Sequence, residues 1–307
     1  MTGRLDARTL GLLGLGVVAV SLAAPLMASL SVGALAISFW RNALAVVAIA
    51  PVVAWFAARD IRRPPGQTAP RPGLHDAALV LVAGLCLAAH FGFWVSSLDL
   101  TSVASSTAIV SLQLIWVVAY DVLRGAAVGR RVIAGVLLAT VGAVVVGGVD
   151  LSLSARALGG DALALAGSVG VAAYAIIGGR ARQGMRTSTY TVGCYGTAAL
   201  ALLVAAAAAG QPLAGYATDQ WLKLLLLTAT AQLLGHTVFN HLLATVSPMV
   251  VSLAILLEVP GASIIAAAWL GQVPEPTALV GLALVLAGMA LVVLTAPPSA
   301  DTETVVA

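Results

Sequence analysis

Charge is what this sequence has least of. Only 9% of its 307 residues are Asp, Glu, Lys or Arg, while 61% are hydrophobic. Soluble domains carry about a quarter charged residues, so a water-soluble globular chain is excluded and an integral membrane protein is implied. Cysteine is nearly absent: Cys86 and Cys194 both fall inside apolar runs, where neither a disulfide framework nor metal-ligand spacing is available. They read as packing residues. No second cluster of His or carboxylate ligands supplies a coordination shell, so no metal and no cofactor is expected. The formal net charge is +3, but the basic residues are spread over many short polar breaks rather than gathered into a patch, which argues against a nucleic-acid partner. After the basic start "MTGRLDARTLGLLG" no small-residue cleavage site is compelling, and the first apolar run is expected to be a retained helix.

Apolar runs of roughly 18 to 25 residues recur from end to end, each long enough to cross a hydrocarbon core of about 30 Å as a helix. About ten spans are expected, near 10–30, 34–57, 77–97, 103–123, 132–149, 161–179, 189–209, 221–243, 249–270 and 277–296. That is an all-α integral membrane protein with no room for a soluble domain. The longest polar break is "RDIRRPPGQTAPRPGLHD", Arg59 to Asp76. Arg and Lys accumulate on the cytoplasmic side of short loops, and here alternate loops are basic: Arg4 and Arg8; Arg59, Arg62, Arg63 and Arg71; Arg124, Arg130 and Arg131; Arg180, Arg182 and Arg186. Both termini are therefore expected in the cytoplasm. Arg156 and Lys223 fall outside, and Asp99, Asp150, Asp161, Asp219 and Glu275 mark the outer loops. One basic residue, Arg41, lies within a span.

The chain also repeats itself. Shifted by 146 residues, His90 falls on His236, Phe93 on Phe239, Gly125 on Gly271, Gly135 on Gly281 and Gly142 on Gly288, without a gap. Five spans separate the copies, an odd number, so the halves 1–150 and 151–307 have opposite orientations in the bilayer. Inverted repeats of this kind are common in secondary transporters, whose substrate site lies near the midplane between the halves. Counting 1.5 Å per residue, His90 lies about 20 Å and His236 about 12 Å from the inner face, mirrored across the midplane.

Polar residues inside the spans are the candidates for function. In "LAAHFGFWVSSLDLTSVASSTAIVSLQLIW", residues 87–116, His90 and Trp94 share a helix face, and Gln113 lies on the next span. In the second half Gln232, His236 and Asn240 recur at four-residue spacing as one stripe, while His241 points elsewhere, near the cytoplasmic end. Glu258 stands alone in "LAILLEVPGASII", two residues before Pro260, and its counterpart in the first half is Leu112. Arg41 comes out at about 18 Å and Glu258 at about 15 Å from the inner face. The two are level, and an ion pair between them, or a His236–Glu258 pair, would relieve the cost of burial. Each of these residues has two readings, interhelical packing through hydrogen bonds or the wall of a cavity that binds an organic solute.

The stretches "HFGFWVSSLDLTSVASS" and "LLGHTVFNHLLATVSPMVVSLAILLEVPGA" resemble the two signature hairpins of the drug/metabolite transporter superfamily, in its EamA-domain, ten-helix branch, and the resemblance spans the chain. It implies two five-helix repeats, a bacterial inner-membrane location and movement of small organic metabolites, often export of amino acids or related compounds. The family's Leu-Glu-Pro in the penultimate helix corresponds to Leu257 and Glu258, with the proline displaced to Pro260. Where the first-half helix often carries Gln-Pro, Gln113 is followed by Leu114, so no proline is present to kink it. The Gly-Glu that usually follows each of these helices is Gly125-Ala126 and Gly271-Gln272 here. Arg41 matches an Arg often present in the second helix, and Tyr174 matches an aromatic position of the sixth.

Together these readings point to a secondary transporter or facilitator for a small neutral or zwitterionic metabolite, with small-molecule substrate and membrane lipids as its partners. His90, Trp94, Gln113, Tyr174, Gln232, His236, Asn240 and Glu258 are the expected cavity residues, and Arg41 and Pro260 the structural ones. A lipid-intermediate flippase of the same superfamily is the alternative. An intramembrane enzyme is weakly suggested by Gly261-Ala262-Ser263 and the histidines of the eighth span, but the Gly expected after such a serine is Ile264.

Overall fold

The computed structural model describes residues 6–61, 73–148, 154–273 and 276–295. The readings placed on Arg4, Arg62, Arg63, Arg71, Asp150, Glu275, the C-terminal tail and the 150/151 boundary lie outside the described residues. The rest is helical, and ten rods follow one another: α1 (Ala7–Ser21, continued by Ala23–Ala28), α2 (Ala34–Ile61), α3 (Leu74–Ser97), α4 (Val103–Val110 and Gln113–Leu123), α5 (Arg130–Gly148), α6 (Ala155–Ala181), α7 (Thr187–Ala208), α8 (Thr218–Leu242), α9 (Pro248–Ile255 and Glu258–Leu270) and α10 (Pro276–Thr295). Eight are long and apolar enough to cross a membrane by length and composition, and α10 contributes the shorter apolar segment Pro276–Val292. The chain is a multi-pass membrane protein built as two inverted five-helix repeats.

Local sequence explains where the rods begin and end. Ser102, Ser154 and Ser247 accept hydrogen bonds from Ser105, Ala157 and Val250 backbone N–H at the starts of α4, α6 and α9, each satisfying one of the donors that a helix N-terminus leaves free. Gly125 and Gly271 take φ of 83° and 68° just past α4 and α9, a left-handed conformation that glycine adopts without steric cost. The repeated glycine is thus a repeated helix stop.

Packing follows the repeat as well. α3 lies on α6 as α8 lies on α1, α4 touches α6 as α9 touches α1, and α3 meets α7 as α8 meets α2. α5 with α10, α2 with α7 and α4 with α9 are the self-related pairs. The halves therefore interlock helix by helix. Small residues permit the closest of these contacts: a Cβ on Gly135 would lie 2.7 Å from the Gly288 carbonyl oxygen, and one on Gly142 2.6 Å from the Gly281 carbonyl oxygen. The four repeated glycines meet crosswise where α5 and α10 touch.

Three rods are interrupted near their middles. In α1 and α9 the cause is proline, which cannot donate to the carbonyl four residues earlier: Pro25 gives no N–H to Ser21 and Pro260 none to Leu256, whose carbonyl accepts instead from the Val259 N–H at 3.2 Å. α4 breaks at Ser111–Leu112, beside the position that corresponds by repeat to Glu258, although no proline is present. There Ser111 Oγ donates to the Thr107 carbonyl at 2.8 Å, a back-bond that bends helices. Leu112 and Ile115 N–H donate three residues back, to Ile109 and Leu112. A fourth irregularity lies in α8, where Thr228–His236 is π-helical, a form that occurs mostly at functional sites.

Candidate functional site

The π segment of α8 packs into a layer of buried polar side chains. Its centre is Arg41 on α2, fully buried. Its Nε donates to Gln232 Oε1 at 2.7 Å, Nη1 lies 3.4 Å from Met27 Sδ, and the guanidinium stands 3.9 Å over the Phe91 ring, within cation–π range. Nη2 is buried without a hydrogen-bond partner among the described residues. Gln232 completes its amide by donating to Asn42 Oδ1 at 3.2 Å, and Asn42 donates to the Ser38 carbonyl. The Gln232 carbonyl accepts from Thr237 Oγ1 at 3.0 Å and from Tyr195 OH at 3.3 Å. These side-chain donors compensate for the irregular backbone of the π segment.

His90 and His236 face each other, ring centroids 6.3 Å apart. His90 stacks on Trp94 at 5.3 Å, and its Nδ1 is 3.0 Å from the Gly167 carbonyl oxygen on α6. His236 meets Phe91 edge-on at 5.2 Å. Trp94 is buried with an unpartnered Nε1. One layer away, Tyr174 OH donates to Asn240 Oδ1 at 2.6 Å, and the Asn240 carbonyl accepts from Arg182 Nε at 2.8 Å. Arg182, read from sequence as a loop cation, is buried and ties the end of α6 to α8. His241 is exposed near the start of α7, its Nδ1 3.2 Å from Thr187 Oγ1.

Glu258 is 5% exposed and is the first residue of the second segment of α9. A half-helix N-terminus favours a carboxylate through its dipole. Its Oε1 is buried and unpartnered, as is Oε1 of Gln113, the first residue of the second segment of α4. The two repeats thus each present a half-helix N-terminus carrying an unsatisfied side-chain oxygen.

Two pairings that the sequence left open are not made, and one expectation is corrected. Arg41 is not ion-paired with Glu258 among the described residues: although level in depth, its guanidinium is engaged by Gln232, Met27 and Phe91. His236 makes no hydrogen bond with Glu258, because its ring is turned to α3 against Phe91 and His90. Gln232, His236 and Asn240 do not form one stripe. The π turn between them changes their angular spacing, so they face α2, α3 and α6 in turn. Met27, Asn42, Phe91 and Tyr195 were missed. Asn42 alone left a signal, a second polar residue beside Arg41 inside a span.

At the end of the bundle opposite the arginine-rich loops, polar contacts join the halves. Gln272 Oε1 accepts from the Val103 N–H at 3.1 Å, Gln211 Oε1 from Leu35 and Ala36 N–H at 3.0 and 3.1 Å, and Gln220 Oε1 from Ser31 N–H at 2.8 Å. Two surface cavities lie apart from the polar layer. One of about 590 Å³ lies beside Arg182 and Met185, and an apolar one of about 450 Å³ lies between α2, α3, α6 and α7 around Gly92 and Phe93.

Comparison with known proteins agrees with this architecture. The EamA-like transporter family matches residues 9–148 and again residues 158–294. A solved structure described only as "Crystal structure of protein" is similar to the chain with a TM-score of 0.68 and 18% identity, over 92% of this chain and 96% of that one. At that identity the likeness speaks for the fold alone. No curated protein matches the sequence.

Proposed function

Because the chain belongs to the EamA-like transporter family of the drug/metabolite transporter superfamily, we propose that it is a secondary transporter or facilitator exporting a small neutral or zwitterionic organic metabolite, an amino acid or a related compound, across the bacterial inner membrane by alternating access. Both termini are then cytoplasmic, and the Gln272, Gln211 and Gln220 contacts lie at the outer face. The small-molecule substrate and membrane lipids are its partners, and nucleic acid is not one.

The observation that carries this reading is the buried polar layer around Arg41. It joins residues of both repeats, and the interrupted helices α1 and α8 contribute Met27, Gln232 and His236 to it beside the residues of α2 and α3. Irregular backbone within the bilayer is tolerated where protein or a water-lined cavity satisfies it, and segments of that kind form the binding sites of transporters. A single central carboxylate and few central cations disfavour a multiply charged anion such as a sugar phosphate.

The second reading, a lipid-intermediate flippase, is favoured by the apolar cavity between α2, α3, α6 and α7, whose lining offers little to a polar solute. Flux of labelled solutes into proteoliposomes, with and without an imposed pH gradient, tests the first reading, and flip of labelled lipids in the same vesicles tests the second. Saturable amino-acid flux with no lipid flip is expected. A Glu258→Gln protein that transports normally and still responds to the gradient would exclude proton coupling through Glu258.

A further inference from the structure

Two helix N-termini at one end of the bundle are capped from the other repeat. Gly33, whose carbonyl accepts the first bond of α2 from Ile37 N–H, has no side chain with which to cap that helix. Gln211, from the loop between α7 and α8, does so instead, its Oε1 accepting from Leu35 and Ala36 N–H at 3.0 and 3.1 Å. A Cβ on Gly33 would lie 2.4 Å from that oxygen, so the glycine makes room for the incoming amide. Gln272, from the loop after α9, takes the Val103 N–H of α4 in the same way. Three further bonds fasten the α7–α8 connection: Trp40 Nε1 donates to the Leu213 carbonyl at 2.9 Å, Gln220 Oε1 accepts from Ser31 N–H at 2.8 Å, and Lys223 Nζ donates to the Ser29 carbonyl at 2.9 Å. Each of these bonds joins the second repeat to the first. The inverted repeat places a matching junction at the opposite end, where the α6–α7 turn meets the end of α2. There a cavity of about 590 Å³ opens beside Phe56 and residues 182–188, and the counterpart of Gln272 is Ala126, which has no side-chain acceptor. One end is tied across the repeats and the other is open.

We propose that the Gln211 and Gln272 caps are the outer latch of the transporter, made while the outer end is shut and broken when it opens. The assignment rests on the transport reading above and goes beyond it by naming what holds one end closed. Neutral caps suit the task, because helix N–H groups released at a water-facing end are taken up by water, whereas a buried ion pair broken at each turn of a cycle would strand two charges. Gly210 and Gly215 take φ of 65° and 84° in the α7–α8 loop, turns that glycine makes without strain. The strap therefore bends at two defined points on either side of Leu213. A contact present in one of two states biases their populations by its own free energy, so loss of one cap should shift the balance toward the outward-open state about two- to thirtyfold.

The test uses the full chain in sealed vesicles, with Cys86→Ser and Cys194→Ala. A Leu112→Cys reporter at the α4 break is labelled by an impermeant maleimide from each side in turn. Gln211→Ala should raise the outer labelling rate relative to the inner about two- to thirtyfold. Gln211→Glu keeps the acceptor and adds a charge favoured at a helix N-terminus, so it should lower that ratio. Damage to the fold would move both variants the same way. A second arm closes the latch covalently: a Cβ on Gly33 would lie 3.2 Å from Gln211 Cγ, where the sulfur of a cysteine would stand, so Gly33→Cys with Gln211→Cys falls within reach of a disulfide. Oxidation of this pair should stop solute flux, and a reductant should restore it. Equal flux through the oxidised and reduced pairs, or shifts of one sign in Gln211→Ala and Gln211→Glu, would overturn the latch and leave transport standing. Opposite shifts in labelling without flux of any solute in the parent would uphold the latch and sink the transport reading. Where the reporter labels from neither side, the disulfide arm decides alone.

Discussion

His90 and His236 occupy the same place in the two repeats and meet with their rings tilted by 55°, centroids 6.3 Å apart, but they are held differently. His90 is buried, stacked on Trp94 and hydrogen-bonded through Nδ1 to the Gly167 carbonyl. His236 is partly exposed and meets the His90 and Phe91 rings, with no side-chain hydrogen bond among the described residues. The symmetry of the fold therefore meets an asymmetry of attachment. His90→Ala should lower stability by about 1–3 kcal/mol, removing a buried hydrogen bond and the stack on Trp94, while His236→Ala should cost under about 1 kcal/mol. Unfolding of both variants in the same detergent checks the order.

The glycine crossing of α5 and α10 makes a second prediction. A Cβ on Gly288 would lie 2.5 Å from both the Ala139 nitrogen and the Gly135 carbonyl oxygen, backbone atoms that cannot swing aside. Gly288→Ala should therefore destabilise by about 1–3 kcal/mol through overpacking. A Cβ on Gly14 of α1 meets nothing within 4 Å, so Gly14→Ala should be neutral or stabilising by up to about 1 kcal/mol, the ordinary gain of alanine over glycine in a helix. Thermal unfolding of the two alanine variants side by side separates steric crowding from helix propensity.

Gln272 joins the loop after α9 to the first N–H of α4. Its counterpart in the first repeat is Ala126, which has no side-chain acceptor. Gln272→Ala should cost about 0.5–2 kcal/mol, the usual loss when a helix N-terminal cap is removed. Amide exchange should rise at Val103 to Ser106 and not at the start of α9. Gln272→Glu should retain the bond and gain from the helix dipole. Exchange measured by mass spectrometry on the two variants checks both outcomes, and equal exchange in Gln272→Ala and the parent would remove the bond from consideration.

Gln232 is the neutral residue to which Arg41 is tied. Gln232→Ala should destabilise by about 1.5–3 kcal/mol, the range for a hydrogen bond to a charged group, and should reduce transport by freeing the guanidinium to turn. Gln232→Glu should keep the bond but supply the negative charge that the layer lacks. That variant should close Arg41 into an ion pair and lower solute flux while remaining folded. Stability and flux measured together separate the two effects.

Much of this architecture was legible in the sequence. The shift that superposes His90 on His236 also superposes the stops at Gly125 and Gly271 and the crossing glycines, because each performs the same geometric task in both halves. What could not be read was direction around the helix axis. Arg41 and Glu258 are level in depth, but depth follows from counting residues at constant rise, whereas facing depends on turn geometry, and the π segment at Thr228–His236 alters it. That is why Gln232, and not Glu258, meets Arg41. The break in α4 was hidden for a related reason: no proline marks it, and the Ser111 hydroxyl bond to the Thr107 carbonyl involves residues common in unbroken helices. Gln272 looked like the loss of a family acid and is a neutral cap in its place.

The central claim is that solute passes between the repeats through the layer at the breaks of α4 and α9, reached from each side in turn. Leu112, at the α4 break and the repeat counterpart of Glu258, reports on it directly. In a Cys86→Ser, Cys194→Ala background, Leu112→Cys should react with a membrane-impermeant maleimide added from either side of sealed vesicles, and the modification should stop flux. Reaction from neither side, or from one side alone, would contradict the account.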